Sequence, residues 1–261
     1  MAPSKDRIVL CMKWGTLYGA EYVNVLYHAA RAHLTGDFRF VCMTDDATGI
    51  EPQVEILPIP DVGLPQKFWK AGAWPKLTVF GHQPTWDNAR VLFVDLDTVI
   101  CGPMDDLFEV EGALAVLDSR PWRYKEGAPR TMTSIFAFDG NKTTAVLERF
   151  LADMEGMHQK HDNEQDYIHG EFKTATGQEI RYWPEEWIRS FKYHLRQPLI
   201  LDRFKHPKAP QAPARILCFH GNPRPIDLIR PPAGNWDVFP HYGKGQVPWM
   251  VDYWTRFGGK V

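Results

Sequence analysis

Ala89-Arg90-Val91-Leu92-Phe93-Val94-Asp95-Leu96-Asp97-Thr98-Val99-Ile100 decides the reading of this chain. Four successive apolar residues, Val91 to Val94, mark a strand covered on both faces, because a covered strand loses the polar alternation of a half-solvated one. The strand runs into two carboxylates spaced by one residue, then returns to apolar Val99 and Ile100. Side chains alternate along an extended chain, so Asp95 and Asp97 would project to the same side. Two hard oxygen donors at the carboxyl end of a buried strand suit a divalent ion that bridges phosphates. The plainer alternative is a pair of aspartates capping the next turn, a common place for this residue.

The preceding sequence supplies a setting for such a strand. Arg7–Met12 reads as a first strand, Lys13–Gly19 as a loop with two glycines, and Glu21–Leu34 as a helix, with apolar residues at Tyr22, Val25, Leu26 and Ala29 and a stop at Gly36. Phe38–Met43 is a second strand, ending at Thr44-Asp45-Asp46, and Val54–Leu57 a short third one. Strand, helix and strand with ligand-type residues at strand ends open a doubly wound nucleotide-binding unit. The chain carries neither G-x-G-x-x-G nor a Walker loop, which argues against dinucleotide and P-loop chemistry. Trp74-Pro75-Lys76-Leu77 then leads to a helix, with Pro75 suited to its first turn.

Beyond the two aspartates, Pro103–Phe108 reads as a short helical turn, and Ala113–Leu117 and Ser134–Phe138 as strands. The segment between them, Asp118–Thr133, is polar, basic and Gly/Pro-bearing, the composition of a substrate loop or lid. Lys142–Met157 is amphipathic, Asn163–Ile168 starts a helix, and Ile180–Trp183 and Ile216–Phe219 are late strands. From Pro231 onward Pro, Gly and Trp dominate. The expected organisation is one domain over residues 1–230, with a 231–261 extension that packs on it without adding a core.

A chain of 261 residues with 44% apolar and 24% charged residues can build a substantial globular core. A net charge of −2 gives no electrostatic case for nucleic acid or anionic membrane. Cys11, Cys42, Cys101 and Cys218 sit in or beside apolar runs with no C-x-x-C pair, which favours reduced, buried thiols over disulfides or zinc. The one N-terminal apolar run, Ile8–Met12, is too short for a signal peptide or an integral membrane segment. The expectation is a cytoplasmic protein, with peripheral attachment to the inner membrane face left open.

Taken in order, Cys-Met-Lys-Trp-Gly-Thr-x-Tyr (residues 11–18), Thr-Asp-Asp (44–46), Pro-Lys-Leu (75–77), Phe-Val-Asp-Leu-Asp-Thr-Val (93–99), Glu-Gln-Asp (164–166) and Phe-His-Gly-Asn-Pro-Arg-Pro (219–225) resemble nucleotide-sugar glycosyltransferases of the GT-A fold. The nearest group is that of glycogenin, the bacterial lipopolysaccharide galactosyltransferases and their bacterial relatives. The resemblance implies an α/β fold with a mixed, Rossmann-like sheet flanked by helices. It also implies a hexosyl transfer from a nucleotide-sugar donor, with a UDP-sugar favoured, to a glycan, lipid-linked or small hydroxyl acceptor, with retention of configuration. In that pattern Asp95 and Asp97 bind the metal and Asp95 also touches the donor, while His220 falls where a histidine ligand stands. The family's His-x-x-Gly-x-x-Lys-Pro is not matched literally: Cys218 stands three before Gly221, His220 directly precedes it, and Arg224 replaces the lysine.

The same resemblance places Lys76 near the diphosphate or donor sugar and Glu164 beside the anomeric carbon, with Asp166 next to it as a second catalytic carboxylate. Arg224 is suited to clamp a phosphate. Trp14, Gly15, Tyr18 and Asp45 would lie near base and ribose. The metal would be Mn²⁺ or Mg²⁺, an imidazole ligand tilting the choice toward Mn²⁺. Each assignment has a structural alternative: His220 a hydrogen-bonded loop residue, Lys76 a solvated helix residue, Trp14 a core or lid aromatic, Glu164 and Asp166 acids favoured by a helix start. His158, His161 and His169 read as solvated surface, and Lys192 as a side chain facing acceptor or donor phosphate. Two rival readings stand beside the transferase. One is a haloacid-dehalogenase-type phosphatase with Asp95 as nucleophile and Asp97 as general acid/base. The other is a non-catalytic nucleotide-sugar or glycan-binding protein of the same fold.

Overall fold

The computed structural model describes residues 5–122 and 130–261. Strand β1 (Asp6–Lys13), helix α1 (Ala20–His33), and strands β2 (Arg39–Thr44) and β3 (Glu55–Pro58) follow one another much as the apolar spacing predicts. A short helix α2 (Gln66–Lys70) and a fully buried 3₁₀ run over Trp74–Phe80 lead into β4 (Ala89–Val94), whose residues are all buried. β1 pairs in parallel with β2 on one side and with β4 on the other, and β3 pairs in parallel with β2.

The period-2 alternation of these strands divides two cores. Val9 and Cys11 of β1, with Leu92 and Val94 of β4, pack in the core that also holds α1 through Val23, Val25, Leu26 and Ala29. Ile8, Leu10 and Met12, with Val91 and Phe93, pack on the other face against the 74–80 run and later helices. Both faces of β4 are therefore covered, the physical reason for its unbroken apolar sequence.

After β4 come β5 (Thr98–Ile100), α3 (Asp105–Glu109), β6 (Leu114–Asp118) and β7 (Thr131–Asp139). β7 runs antiparallel between β4 and β6, and β8 (Arg181–Tyr182) pairs parallel to β6, giving the sheet order β3-β2-β1-β4-β7-β6-β8. The amphipathic segment expected over Lys142–Met157 is two helices, α4 (Thr144–Ala152) and α5 (Met154–Lys160). The break falls at Asp153 (φ −154°, ψ 64°), whose carboxylate accepts the Gly156 N–H at 3.0 Å and caps the second helix. Helix α6 (Glu164–Thr176) follows and covers the second core through Tyr167, Ile168 and Phe172.

A second, three-stranded sheet was not anticipated. It is built from β5, β9 (Ile188–Ser190) and β10 (Ile216–Cys218) in the order β5-β10-β9, and it projects from the end of β4. The tail forms helix α7 (Pro248–Arg256) and packs Trp236, Val247, Met250, Trp254 and Phe257 into the core that holds α1. Glu21 at the start of α1 accepts hydrogen bonds from Trp254 Nε1 (2.8 Å) and the Lys260 amide (2.6 Å). Cys11, Cys42 and Cys218 are buried free thiols and Cys101 is a half-buried one. Among the described residues no helix is long and apolar enough to cross a membrane.

Candidate active site

The site begins where β4 stops. The Asp95 amide donates to the Ser134 carbonyl (2.9 Å), so β7 fixes the exit of the chain. The Thr98 amide then donates back to the Asp95 carbonyl (3.2 Å) and turns the chain into β5. Asp95-Leu96-Asp97 is thus a tight turn between two sheets, not a continued extended strand. The alternation argument for its two carboxylates gives way to turn geometry.

Lys76 reaches this turn from below. Gly72 (φ 78°) and Ala73 (φ 51°) both occupy the left-handed region just before the 74–80 run, and a Cβ on Gly72 would lie 2.6 Å from Trp74 Nε1. The Gly72 carbonyl also accepts the Glu164 amide (2.9 Å), which fastens the start of α6 to the same turn. Lys76 Nζ consequently lies 2.8 Å from an Asp95 oxygen and 3.3 Å from a Glu164 oxygen, donates to the Thr133 carbonyl at 3.2 Å, and stands 5.2 Å from the centre of the Phe93 ring. Thr133 Oγ1 donates to Glu164. Lys76 is no solvated helix residue: its side chain is 6% exposed, against 25% for Asp95. Glu164 is buried with it, whereas Asp166, whose amide is capped by Asn163 Oδ1 (3.0 Å), remains half-buried.

Burial pushes the Asp95 carboxyl upward; Lys76 pulls it back and Asp97 pushes it further, and it settles at about 7. Burial likewise raises Asp97, tempered by the Tyr18 hydroxyl and Lys76. Burial alone would lower Lys76, but Asp95 and Glu164 more than offset it, so its ammonium is held above its usual range. The Tyr18 hydroxyl donates to Asp97 Oδ2 at 2.9 Å, and burial together with Asp97 keeps that phenol protonated. Arg224 closes the group, its guanidinium carbon 5.7 Å from the centre of the Tyr18 ring. Three carboxylates therefore face two cations, in surroundings that disfavour charge.

The residues assigned to base and ribose lie at the carboxyl ends of β1 and β2. The Gly15 amide (φ 61°) donates to Asp45 Oδ2 at 2.9 Å, both residues being exposed, and Trp14 is half-buried against the second core. His220 lies beside Ser190 and two aromatic rings. Its Nε2 lies 2.7 Å from Ser190 Oγ, its ring stacks near Tyr193 (5.7 Å) and Trp122 (6.5 Å), and its carbonyl accepts from Lys192 Nζ at 2.6 Å. Among the described residues no three His, Cys, Asp or Glu side chains converge to hold a metal ion. His161, read as solvated surface, pairs instead with buried Glu171 at 3.1 Å.

Sequence reasoning missed Thr133, Ser134 and Ser190. The first two belong to β7 and position the Asp95 turn and Glu164, while Ser190 sits two residues before Lys192, the side chain expected to face acceptor or donor phosphate. The expected lid lies partly outside the described residues; at its edges Arg130 Nε donates to Asp118 at 2.7 Å, and Thr131 Oγ1 is 3.0 Å from His169 Nδ1. A cavity of about 1090 Å³ opens at the amino ends of the parallel strands, among Arg7, Phe38, Arg90 and Asp139, and contains none of the site residues. Its basic side chains are largely paired, Arg90 with Asp139 and Arg7 with Asp105.

No protein-family model and no curated protein matches the chain. Solved structures do. A galactosyltransferase, LgtC, crystallised with donor and acceptor sugar analogues, superposes over 97% of either chain with a TM-score of 0.62 at 13% identity. The fold is of the GT-A type. The glycosyltransferase GlyE of Streptococcus pneumoniae matches 97% of this chain and 63% of its own length (TM-score 0.58, 13% identity). The bifunctional glycosyltransferase WbbM matches 86% and 47% respectively (TM-score 0.56, 14% identity). In this GT-A chain the aspartate pair closes the fourth strand of the unit, after three parallel strands and α1. A haloacid-dehalogenase-type site would instead open its domain.

Proposed function

We propose that the protein is a metal-assisted glycosyltransferase that moves a hexose from a nucleotide sugar, UDP-linked, to a hydroxyl acceptor. The observation that carries this reading is the charge cluster at the carboxyl end of β4, where open α/β sheets take their ligands. There Asp95 and Asp97 sit together, with Asp95 raised to about 7 by burial and by the neighbouring Asp97 against the pull of Lys76, so two carboxylates share one cation at close range. Such a pair of oxygen donors fits a divalent cation, which Asp95 and Asp97 would hold. When bound, such an ion neutralises the charge that develops on a departing nucleoside diphosphate. A two-carboxylate set suits Mg²⁺ as well as Mn²⁺. His220 would favour Mn²⁺ only by exchanging its Ser190 contact for the ion.

The chain's own residues divide the remaining work. Tyr18 holds Asp97 through its hydroxyl. Lys76 orients Asp95 and supplies a fixed positive charge beneath it, and Glu164 acts through Lys76 as a positioning residue. Arg224 offers a planar fork for a phosphate. Asp166 is the more accessible carboxylate of the α6 start, the better placed of the two to meet a sugar. Gly15, Asp45 and Trp14 border the ground for base and ribose. Retention of configuration and the UDP preference rest on the resemblance in motif order, and a cytoplasmic location is proposed on the same footing as the reduced thiols.

The test is a thermal-shift panel of nucleotides with and without Mn²⁺, on the wild type and Asp97→Ala. A UDP response that requires the metal and disappears in the variant supports the transferase. A protein indifferent to nucleotides that hydrolyses para-nitrophenyl phosphate would be a phosphatase. Metal-dependent UDP binding with neither donor hydrolysis nor transfer would identify a binding protein.

A further inference from the structure

Several exposed large apolar side chains lie on two loops outside the charge cluster. Leu199, Ile200 and Phe204 lie on the loop after β9 and the single helical turn Phe191–Leu195, and they are 60, 55 and 74% exposed. Val238 and Phe239, on a loop of the tail, are 73 and 75% exposed. Side chains this open protrude; they do not line a groove.

An ionic floor joins the two loops. His241 Nδ1 lies 3.1 Å from Asp202 Oδ2, and Arg196 pairs with both Asp202 and Asp237, whose side chains are buried. The fold also spends backbone energy here: Ile200, a β-branched residue, sits at φ 71° with its side chain turned to solvent.

Charge selects the occupant. Over residues 192–210 and 234–247 the only acids are Asp202 and Asp237, both buried and paired, while Arg203, Lys205, Lys208 and Lys244 are exposed. Protruding apolar tips among cations, with no exposed anion within either segment, complement the boundary between acyl chains and anionic headgroups of a bilayer. The chain's overall charge of −2 hides this local asymmetry. Tyr193, at the head of the same segment, stacks on His220.

We propose that the 199–204 and 238–239 loops dock the protein on a bilayer that carries anionic lipid. The inference stands on exposure and charge, independently of the transfer chemistry. It is tested by co-sedimentation with vesicles of phosphatidylcholine alone or mixed with phosphatidylglycerol, using the wild type, Phe204→Ser/Phe239→Ser and Arg203→Gln/Lys205→Gln. The wild type should sediment with the mixed vesicles, more weakly in high salt, and the apolar double variant should lose about tenfold or more in affinity. Both variants change exposed side chains, and an unchanged melting temperature shows that they fold. Equal partitioning of wild type and apolar variant would overturn the proposal. So would a wild type that ignores every vesicle yet forms a dimer in analytical ultracentrifugation that the apolar variant dissolves.

Discussion

Lowering the pH from 8 to 6 should weaken divalent-ion binding by about tenfold, because Asp95 titrates near 7 in the folded protein. At pH 8 about nine-tenths of Asp95 is ionised and at pH 6 about one-tenth, and an ion that needs the carboxylate competes with that proton. The sign reverses without the ion. An acid whose folded pKa is raised from 3.8 to about 7 stabilises the fold below its unfolded value, and this contribution is lost as pH rises through 7. Between pH 8 and 6 the ion-free protein should gain about 1.4 kcal/mol from this group, the same free energy that the ion forfeits. Burial holds the imidazoles of His33 and His169 low, so they lose stability on acidification and must be subtracted. Calorimetric titration with Mn²⁺ at both pH values, with melting curves of wild type and Asp95→Asn, isolates the effect. An identical dissociation constant at pH 6 and 8, or an Asp95→Asn variant with the wild-type pH dependence, would refute the reasoning.

Tyr18→Phe removes the hydroxyl that tempers the raised Asp97 carboxyl, so ion binding should weaken and its pH dependence should move upward, at a stability cost of about 1 kcal/mol in urea unfolding. Glu171 is buried, and although burial alone would raise its carboxyl, Lys160, Arg149 and His161 bring it down to about 2. Its stabilisation is therefore present above about 4.5 and lost as pH falls through 2; Glu171→Gln should cost about 2 kcal/mol at neutral pH, measured by urea unfolding, and little in strong acid. Trp254→Ala should cost about 3–5 kcal/mol by the same measurement if the tail belongs to the core that holds α1. A loss within 0.5 kcal/mol would make it a superficial strap.

The main sheet was legible because its strands announce themselves locally. β1, β2 and β4 are apolar runs long enough to be recognised, and α1 shows helical spacing over four turns. The second sheet was not, because β5, β9 and β10 have three residues each and owe their existence to partners such as Thr98 and Cys218, far apart in sequence. Helix α7 does carry apolar residues at Met250 and Trp254, with Phe257 at its C-cap, but it lies among prolines and glycines that read as irregular chain. At the site, residue types were visible and their alliances were not. Nothing in the sequence pairs Tyr18 with Asp97, or His220 with Ser190, since these contacts depend on how two sheets meet. Lys76 was legible as a cation before the strand; its confinement between Asp95 and Glu164 follows from the Gly72 turn, which only the folded chain displays.

The turn at Gly72 has a kinetic consequence. Lys76, Asp95, Thr133 and Glu164 meet only after β7 has threaded between β4 and β6 and after α6 has been fastened to the Gly72 carbonyl. Such long-range pairings close late, since loop entropy is lost before they return any energy. During refolding, fluorescence from buried Trp74 and Trp86 would then report collapse of the second core, whereas ion binding would report completion of the topology.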